Sequence, residues 1–276
     1  LLALGSKETA ATLPLFILLY EWFFLQNLSG KWLKRHLPIL FGLTIVFLGV
    51  SLIYLEGRPL EQILSRYELR NFTPLQRIFT QFRVLFLYLG LLIYPHPERL
   101  NLDYDYPLSQ SLIDPPATLL ALIAIIGLLG GSIRLAKNDR LISFCILWYF
   151  GNLAIESSII GLEIVFEHRT YLPSMMIILM VAALVDRYLR SNLLKVASAC
   201  AIVLVFSAWT YERNTLWNNA VTLWSDVVKK SPQKVRPHNN LGNALKRQSK
   251  IEKAIKHFNI ALQINPGYAK AHNDGN

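Results

Sequence analysis

Ionisable side chains that could bind an anion or transfer protons are concentrated in one short stretch between two long apolar runs. They are Glu156, Glu163, Glu167, His168 and Arg169, and Tyr171 follows two residues after Arg169. Charged groups are costly at membrane depth, so Glu156, read as lying about a turn inside its helix, is a candidate cavity residue, as are Glu167 and Tyr171. The alternative for Glu156 is a water-exposed position at the membrane interface.

His168 and Arg169 together are candidates for binding a phosphate. The guanidinium group of Arg169 presents a planar fork of donors that complements phosphate oxygens. The alternative is that the two side chains only anchor the end of a helix at the membrane surface, with their apolar stems along the lipid.

Two smaller polar groups are separate from this stretch. Lys7 and Glu8 precede the first apolar run, where they either take part in chemistry or simply pair with each other at the membrane interface. Asp103 and Asp105 have a spacing that could hold a divalent cation, although two carboxylates also suit a solvated turn, which we favour. A divalent metal therefore stays open, and no metal ligand is assigned.

The composition indicates a membrane protein. Of 276 residues, 53% are hydrophobic and only 17% charged, and the mean hydropathy is +0.34; soluble domains carry about 25% charged residues. The net charge of +10 lies mostly between the apolar runs and in the C-terminal tail. This placement indicates that the positive charges orient the protein in a membrane and do not bind nucleic acid. The sequence has no aromatic-basic signature of nucleic-acid binding.

The lengths of the apolar runs predict about six transmembrane helices within residues 1–211, because a bilayer core needs about 20 apolar residues per helix. The predicted spans are 9–25, 37–55, 115–133, 141–159, 171–185 with its flanks, and 193–211. The run 84–94 has only about eleven apolar residues; such a length predicts a re-entrant or interfacial segment.

Basic residues in the short connections predict the orientation. The connections 26–36, 134–140 and 186–195 each carry three lysines or arginines. If 84–94 does not cross, all three lie on one face, which the positive-inside rule makes cytoplasmic. The loop 56–114, the segment 160–170 and the C-terminal tail then share the extracytoplasmic face.

Residues 212–276 are predicted to be a soluble segment of tetratricopeptide (TPR) repeats. A full 34-residue repeat covers 236–269, a degenerate one precedes it at 212–235, and 270–276 begins another. Small Gly242 and Ala254 let two antiparallel helices approach closely, and Pro266 ends the second helix. The signature positions of the full repeat are Leu241, Gly242, Leu245, Ala254, Phe258, Ala261 and Pro266.

Four stretches resemble the transmembrane and TPR-containing protein O-mannosyltransferases and their bacterial relatives. They are KETAATLPLFILLYEW at 7–22, YLGLLIYPHPERLNLDYDYP at 88–107, EHRTYLPSMM at 167–176 and RPHNNLGNAL at 236–245. The resemblance implies an all-α fold: a polytopic transmembrane helical bundle of the GT-C class, incomplete here, followed by TPR helix-turn-helix repeats. It also implies a glycosyltransferase that uses a polyprenyl-phosphate sugar as donor and acts on the extracytoplasmic side.

The same resemblance assigns roles to particular residues. Lys7 and Glu8 would border the active cavity, Lys7 also facing the donor, and His168 and Arg169 would face the lipid phosphate. The principal catalytic acid would lie upstream of Leu1, because we expect the chain to be a piece of a longer protein.

The TPRs would engage a protein or peptide acceptor, on the periplasmic side of a bacterial inner membrane or in the endoplasmic reticulum of a eukaryote. The alternative is a non-catalytic, membrane-anchored TPR scaffold for envelope assembly.

Overall fold

Helices make up every regular element of the part of the chain that is described. The computed structural model describes residues 12–54, 57–68 and 70–275. Within those ranges the fold class is all-α, as predicted. The α-helices are α1 (Leu13–Tyr20), α2 (Gly30–Tyr54), α3 (Pro59–Ser65), α4 (Pro74–Ile93), α5 (Ala117–Leu135), α6 (Arg140–Ala154), α7 (Tyr171–Tyr188), α8 (Asn192–Thr215), α9 (Ala220–Lys230), α10 (Val235–Arg247), α11 (Ile251–Ile264) and α12 (Ala269–Gly275).

Several of these helices have the length and composition of membrane spans. Among the described residues, four segments qualify: Pro74–Ile93, Ala117–Leu135, Glu167–Tyr188 and Asn192–Asn218. Two further apolar segments, Leu13–Leu25 and Arg140–Ala154, are shorter. These helices carry the apolar surface that the composition indicated, and the chain is a membrane protein.

Helix α4 is longer than the eleven-residue apolar segment predicted at 84–94. It begins at Pro74, directly after a reciprocal cap: the Gln76 N–H donates to Thr73 Oγ1 at 3.2 Å, and the Thr73 N–H donates to Gln76 Oε1 at 2.8 Å. The resulting helix has 20 residues. The argument for a re-entrant segment rested on shortness and therefore loses its basis; whether α4 crosses stays a prediction.

Helix α6 ends earlier than the predicted span 141–159. Its last residue is Ala154, so Glu156 lies in the connection that follows and not a turn inside a helix, as the sequence suggested. The carbonyls of this connection accept hydrogen bonds from a side chain of α4 instead of from helical N–H groups. The polar partner comes from a distant part of the chain, so the pattern along 141–159 alone overestimated the length of the helix.

The chain divides into two compact units. The first contains the residues up to Tyr88 together with Leu108–Glu163 and His168–Tyr188. The second contains Leu89–Pro107, Ile164–Glu167 and Leu189–Asn276. In the first unit, Phe23, Ala136 and Phe144 form a buried cluster with surrounding aromatic and aliphatic side chains. In the second unit, Leu241, Leu245, Ala254 and Phe258 form the core of the repeat.

The repeat has the antiparallel helix pair that the sequence predicted. Helices α10 and α11 pack through Gly242, where an added Cβ would lie 2.6 Å from Phe258 Cε1. The 34-residue period is visible in the contacts: His238 Nε2 lies 3.0 Å from the Pro232 carbonyl, and His272 Nε2 lies 2.9 Å from the Pro266 carbonyl. Helix α12 thus begins a further repeat in register with α10.

Substitution of Gly242 by Ala is expected to destabilise the repeat by up to about 2 kcal/mol. Overpacking against Phe258 costs about 1–3 kcal/mol, and the better helix propensity of Ala offsets about 1 kcal/mol of that. Amide hydrogen exchange of α10 and α11 measures the change. Gly267→Ala is the matched control, because its nearest contact lies at 3.5 Å; equal effects of the two changes would contradict the close approach.

The stability of the repeat is expected to fall below about pH 6.5. Burial lowers the pKa of His257 from 6.5, and the neighbouring His238 and Lys256 lower it further. The unfolded chain therefore binds more protons than the folded one as the pH falls below 6.5, so stability is full above that pH and is lost below it. Urea unfolding at pH 7.5 and 5.5 measures the difference. In His257→Gln, the contribution of this site should disappear; an unchanged pH dependence would refute the assignment.

Candidate functional site

The segment 156–163 is held by one buried arginine of α4. Arg77 has 0% of its surface exposed. Its Nε donates to the Ser158 carbonyl at 3.1 Å, and its Nη1 donates to the carbonyls of Leu162 at 3.0 Å and Glu163 at 3.1 Å. Its Nη2 donates to the Glu156 carbonyl. The segment has no helix to satisfy these carbonyls, so the guanidinium group fixes its conformation.

Arg169, a predicted phosphate ligand, is bound to the same segment. Its Nε lies 2.9 Å from Glu156 Oε2, and the two side chains are 3% and 10% exposed. Its Nη1 donates to the Glu163 carbonyl at 2.8 Å. The structure therefore brings together two of the predicted site residues, Arg169 and Glu156, as a buried ion pair.

A third arginine contributes to this group of charges. Arg70 pairs with the carboxylate of Glu163. Arg70, Arg77 and Arg169 supply three positive charges to this group, and Glu156 and Glu163 supply two negative ones. This arrangement of five charged residues is called the arginine cluster below.

Other predicted site residues lie apart from the arginine cluster or outside the described residues. His168 is exposed although its neighbour Arg169 is buried, so the two side chains do not form a joint fork. Tyr171 is 76% exposed, as expected for a surface residue and not for the wall of an enclosed cavity. Lys7 and Glu8 lie outside the described residues.

Glu167, a predicted cavity residue, belongs to the second unit and binds the loop that follows α4. Its Oε1 accepts from the Asn101 N–H at 2.5 Å and from the Tyr104 hydroxyl at 2.9 Å. Burial, followed by the negative charge and hydrogen bond of Glu167, raises the pKa of Tyr104. Tyr104 is thereby kept as a neutral donor to this carboxylate.

The same loop is attached to the beginning of the TPR segment. The Asn101 side-chain amide donates to Ser231 Oγ at 2.7 Å, and the Asp105 N–H donates to the same atom at 3.0 Å. Arg236 Nε lies 2.9 Å from Asp103 Oδ2. The Asp103 carboxylate is thus used by an ion pair, and Asp105 contributes its backbone here. The favoured turn is attached to the repeat instead of being simply solvated.

A compact charge triad completes the attachment. Asp226 Oδ2 lies 2.9 Å from Arg213 Nη1 and 2.8 Å from Lys230 Nζ, and all three side chains are less than one fifth exposed. Lys230 Nζ also donates to the carbonyls of Pro97 at 2.9 Å and Leu100 at 3.0 Å. The last membrane helix, the first TPR helix and the loop after α4 therefore share one polar network.

Sequence reasoning missed Arg77 and the Arg213–Asp226–Lys230 triad. For Arg77 there was a usable signal, because an arginine within the first turn of a largely apolar helix must find partners. For the triad, only the Asp226 and Lys230 spacing of four residues was visible locally. Neither signal identified the partner segment.

Comparison with known proteins gives matches to both regions. The tetratricopeptide repeat family model matches residues 235–268. Protein O-mannosyl-transferase Tmtc3 of Drosophila melanogaster is 26% identical over 268 residues, which are 90% of this chain and 28% of that protein. TMTC3 of Mus musculus is 30% identical over 112 residues, 40% of this chain and 12% of that protein. TMTC1 of Mus musculus is 33% identical over 78 residues, 28% of this chain and 8% of that protein.

These relatives are much longer than the chain, which spans 28% or less of their length. No solved structure matches it. The Drosophila match nevertheless extends over nine tenths of the chain, and the repeat model matches where the sequence predicted a full repeat. The chain is therefore similar over most of its length to a TMTC protein O-mannosyl-transferase, and it contains a tetratricopeptide repeat.

Proposed function

We propose that this chain is part of a membrane glycosyltransferase that transfers a sugar from a polyprenyl-phosphate donor to a protein acceptor. The observation that carries the proposal is the similarity to a protein O-mannosyl-transferase over 90% of the chain. The relatives' activity is named for proteins more than three times as long, so the activity of the whole protein is part of this proposal.

The arginine cluster supports a role in binding the donor phosphate. The fork geometry of the Arg169 guanidinium group suits phosphate oxygens. A fixed cation beside the leaving phosphate would stabilise the negative charge that develops during transfer. In the structure Glu156 occupies part of this fork, so the donor phosphate would share Arg169 with Glu156 or displace it.

Contacts within the second unit support a common side for Glu167, the loop after α4 and the TPR segment. Groups joined by hydrogen bonds of 2.5–2.9 Å, such as Glu167 with Asn101 and Tyr104, and Asn101 with Ser231, must lie on the same face of a bilayer. Helices α5 and α6 lie between the loop after α4 and Glu167, and helices α7 and α8 lie between Glu167 and the TPR segment. If both helices of each pair cross the bilayer, the chain returns to the same face. The basic connections 134–140 and 186–195 would then lie on the opposite face, and the positive-inside rule favours an extracytoplasmic side for these segments.

The TPR segment supports the engagement of a protein acceptor. TPR repeats stack into surfaces that bind polypeptides, and the attachment through Ser231 and Arg236 keeps the first repeat beside the loop after α4. An acceptor held by the repeats would be presented on the same face as Glu167. That face is the periplasmic side of a bacterial inner membrane, or the lumen of the endoplasmic reticulum in a eukaryote.

Cysteine labelling tests the proposed sides. In full-length protein whose Cys145 and Cys200 are replaced, single variants Asp105→Cys and Lys250→Cys should react with an impermeant maleimide from the extracytoplasmic side. Arg190→Cys should react only after the membrane is permeabilised. Labelling of positions 105 and 250 from opposite sides would end the proposal.

A transfer assay with the full-length protein tests the activity. Arg169→Lys keeps the charge but removes the fork, and we expect transfer to fall by about 10²-fold, the loss on removing one charge-stabilising donor. The control is Arg187→Lys, an arginine 59% exposed that pairs with Asp139. Wild-type protein that binds an acceptor but transfers no sugar would favour the non-catalytic TPR scaffold. Unchanged transfer by Arg169→Lys would remove Arg169 from the mechanism.

A further inference from the structure

We propose that Arg77 is a positioning residue for sugar transfer: its buried guanidinium group fixes the segment 156–163 so that Arg169 faces the donor phosphate. The inference rests on the proposed function of Arg169. Arg77 itself makes no contact with the substrate in this proposal; it acts through the two residues, Glu156 and Glu163, that Arg169 also binds.

The first step of the argument is how completely the segment depends on one side chain. Arg77 is 0% exposed and donates to the backbone carbonyls of four residues, Glu156, Ser158, Leu162 and Glu163. A guanidinium group has five N–H donors in a rigid plane, so it can serve several carbonyls at once. A lysine ammonium group has three donors on a flexible stem and cannot reproduce this pattern.

The second step is that Arg77 and Arg169 meet at the same two residues. The Glu163 carbonyl accepts from Arg77 Nη1 at 3.1 Å and from Arg169 Nη1 at 2.8 Å. The Glu156 carbonyl accepts a hydrogen bond from Arg77, and the Glu156 carboxylate lies 2.9 Å from Arg169 Nε. A shift of the segment after loss of Arg77 would therefore move both anchors of Arg169.

The third step is that the two arginines come from different parts of the chain. Arg77 lies on α4, in sequence 79 to 86 residues from the carbonyls it binds, whereas Arg169 is six residues from Glu163. The local contact alone would leave Arg169 attached to a mobile connection. Arg77 attaches the segment 156–163 to helix α4. Such an attachment keeps a charged group at a fixed place in a site.

The test is a double-mutant cycle on transfer by the full-length protein, with kcat and the acceptor KM measured for each variant. We expect Arg77→Lys to lower kcat about tenfold with the acceptor KM unchanged, since it misplaces a group that acts in the transition state. In an Arg169→Lys background the same change should add less than about twofold, because its effect passes through Arg169. A purely structural role would instead give independent, multiplying losses.

A second measurement keeps the test independent of activity. Hydrogen exchange of the segment 156–163 in the full-length protein should rise in Arg77→Lys. The matched control is Arg83→Lys on the same helix, whose Nη1 donates to Ser109 Oγ at 3.0 Å and which should leave the segment protected. Because exchange is read in folded protein, a variant that fails to fold is recognised and replaced by Arg77→Gln.

The outcomes separate this inference from the proposed function. If Arg169→Lys transfers sugar normally, or wild-type protein does not transfer it, the proposed function fails. If Arg169→Lys is impaired but Arg77→Lys has normal kcat, or multiplies the loss in the double variant, the positioning role of Arg77 is overturned. Protection of 156–163 that is unchanged in Arg77→Lys overturns it as well.

Discussion

Replacement of Arg169 by methionine is expected to destabilise the first unit by about 3–5 kcal/mol, because removal of one partner leaves the buried Glu156 carboxylate without its counter-charge. The pair is nearly inaccessible, with side chains 3% and 10% exposed, so water cannot replace the lost partner. The measurement is the free energy of unfolding in detergent micelles, by chemical denaturation. Glu156→Met should lower the free energy of unfolding by a similar amount, since it removes the carboxylate that pairs with Arg169.

The double variant distinguishes stability from function. Two methionines remove both charges together, and such replacements of buried ion pairs are often neutral or stabilising. We therefore expect Glu156→Met with Arg169→Met to recover most of the lost stability while transfer stays abolished. Recovery of transfer with stability would contradict a role for Arg169 in the reaction. A cost below about 1 kcal/mol for the single change would place the pair among exposed ion pairs.

Replacement of Asp226 by asparagine is expected to destabilise the second unit by about 3 kcal/mol or more, since it leaves Arg213 and Lys230 close together without the carboxylate they share. The three side chains are 10%, 18% and 17% exposed, so solvent screening is limited. Lys230 also holds the carbonyls of Pro97 and Leu100. Hydrogen exchange should therefore accelerate in two places, helix α9 and residues 97–104.

The decisive result of that experiment is faster exchange in both regions, helix α9 and residues 97–104. At about 1.4 kcal/mol per tenfold change, the expected loss corresponds to roughly 10²-fold faster exchange. Glu252→Gln is the matched control, because Glu252 is an exposed carboxylate of the neighbouring repeat helix and should change exchange little. Acceleration in α9 without any change in 97–104 would show that the loop is held by its other contacts and not through Lys230.

Much of the fold was accessible from local pattern. The spacing of Gly242, Ala254 and Phe258 predicted the helix pair because helix packing requires a small residue where two backbones approach, and the structure shows that approach. The TPR boundaries, 236–269 by pattern, agree with the family match at 235–268 to within one residue. Apolar run length predicted α5, α7 and α8 within a few residues, because lipid-facing helices need little beyond apolarity and length.

The pattern was less informative where a polar side chain from elsewhere competes with the helix. Helix α6 ends at Ala154, before the end of the predicted span 141–159, and Arg77 donates hydrogen bonds to carbonyls of the connection that follows. Helix α4 begins ten residues before the apolar segment 84–94, where Thr73 and Gln76 cap it. In both cases hydrogen bonds, and not the number of apolar residues, coincide with the helix boundary.

The sequence by itself determined the class of the protein: apolar helices, a basic bias in the connections, a TPR repeat with its period, and a stretch rich in ionisable residues before α7. All of these are local properties, readable within one helix or one repeat. Only the tertiary structure decided the partners of the charges. It joined Arg77 to carbonyls about 80 residues away, Asn101 to Ser231 across 130 residues, and Arg236 to Asp103 across 133.

The physical reason is that a helix carries its own backbone hydrogen bonds, so its position follows from neighbouring residues. A buried charge has no such internal partner, and the group that neutralises it is whichever one the packing of distant segments brings within about 3 Å. Residue types at 156–169 therefore indicated where ionisable groups are concentrated. The packing selected Arg169 and Glu156 as the buried pair, left His168 at the surface and placed Glu167 against the loop after α4.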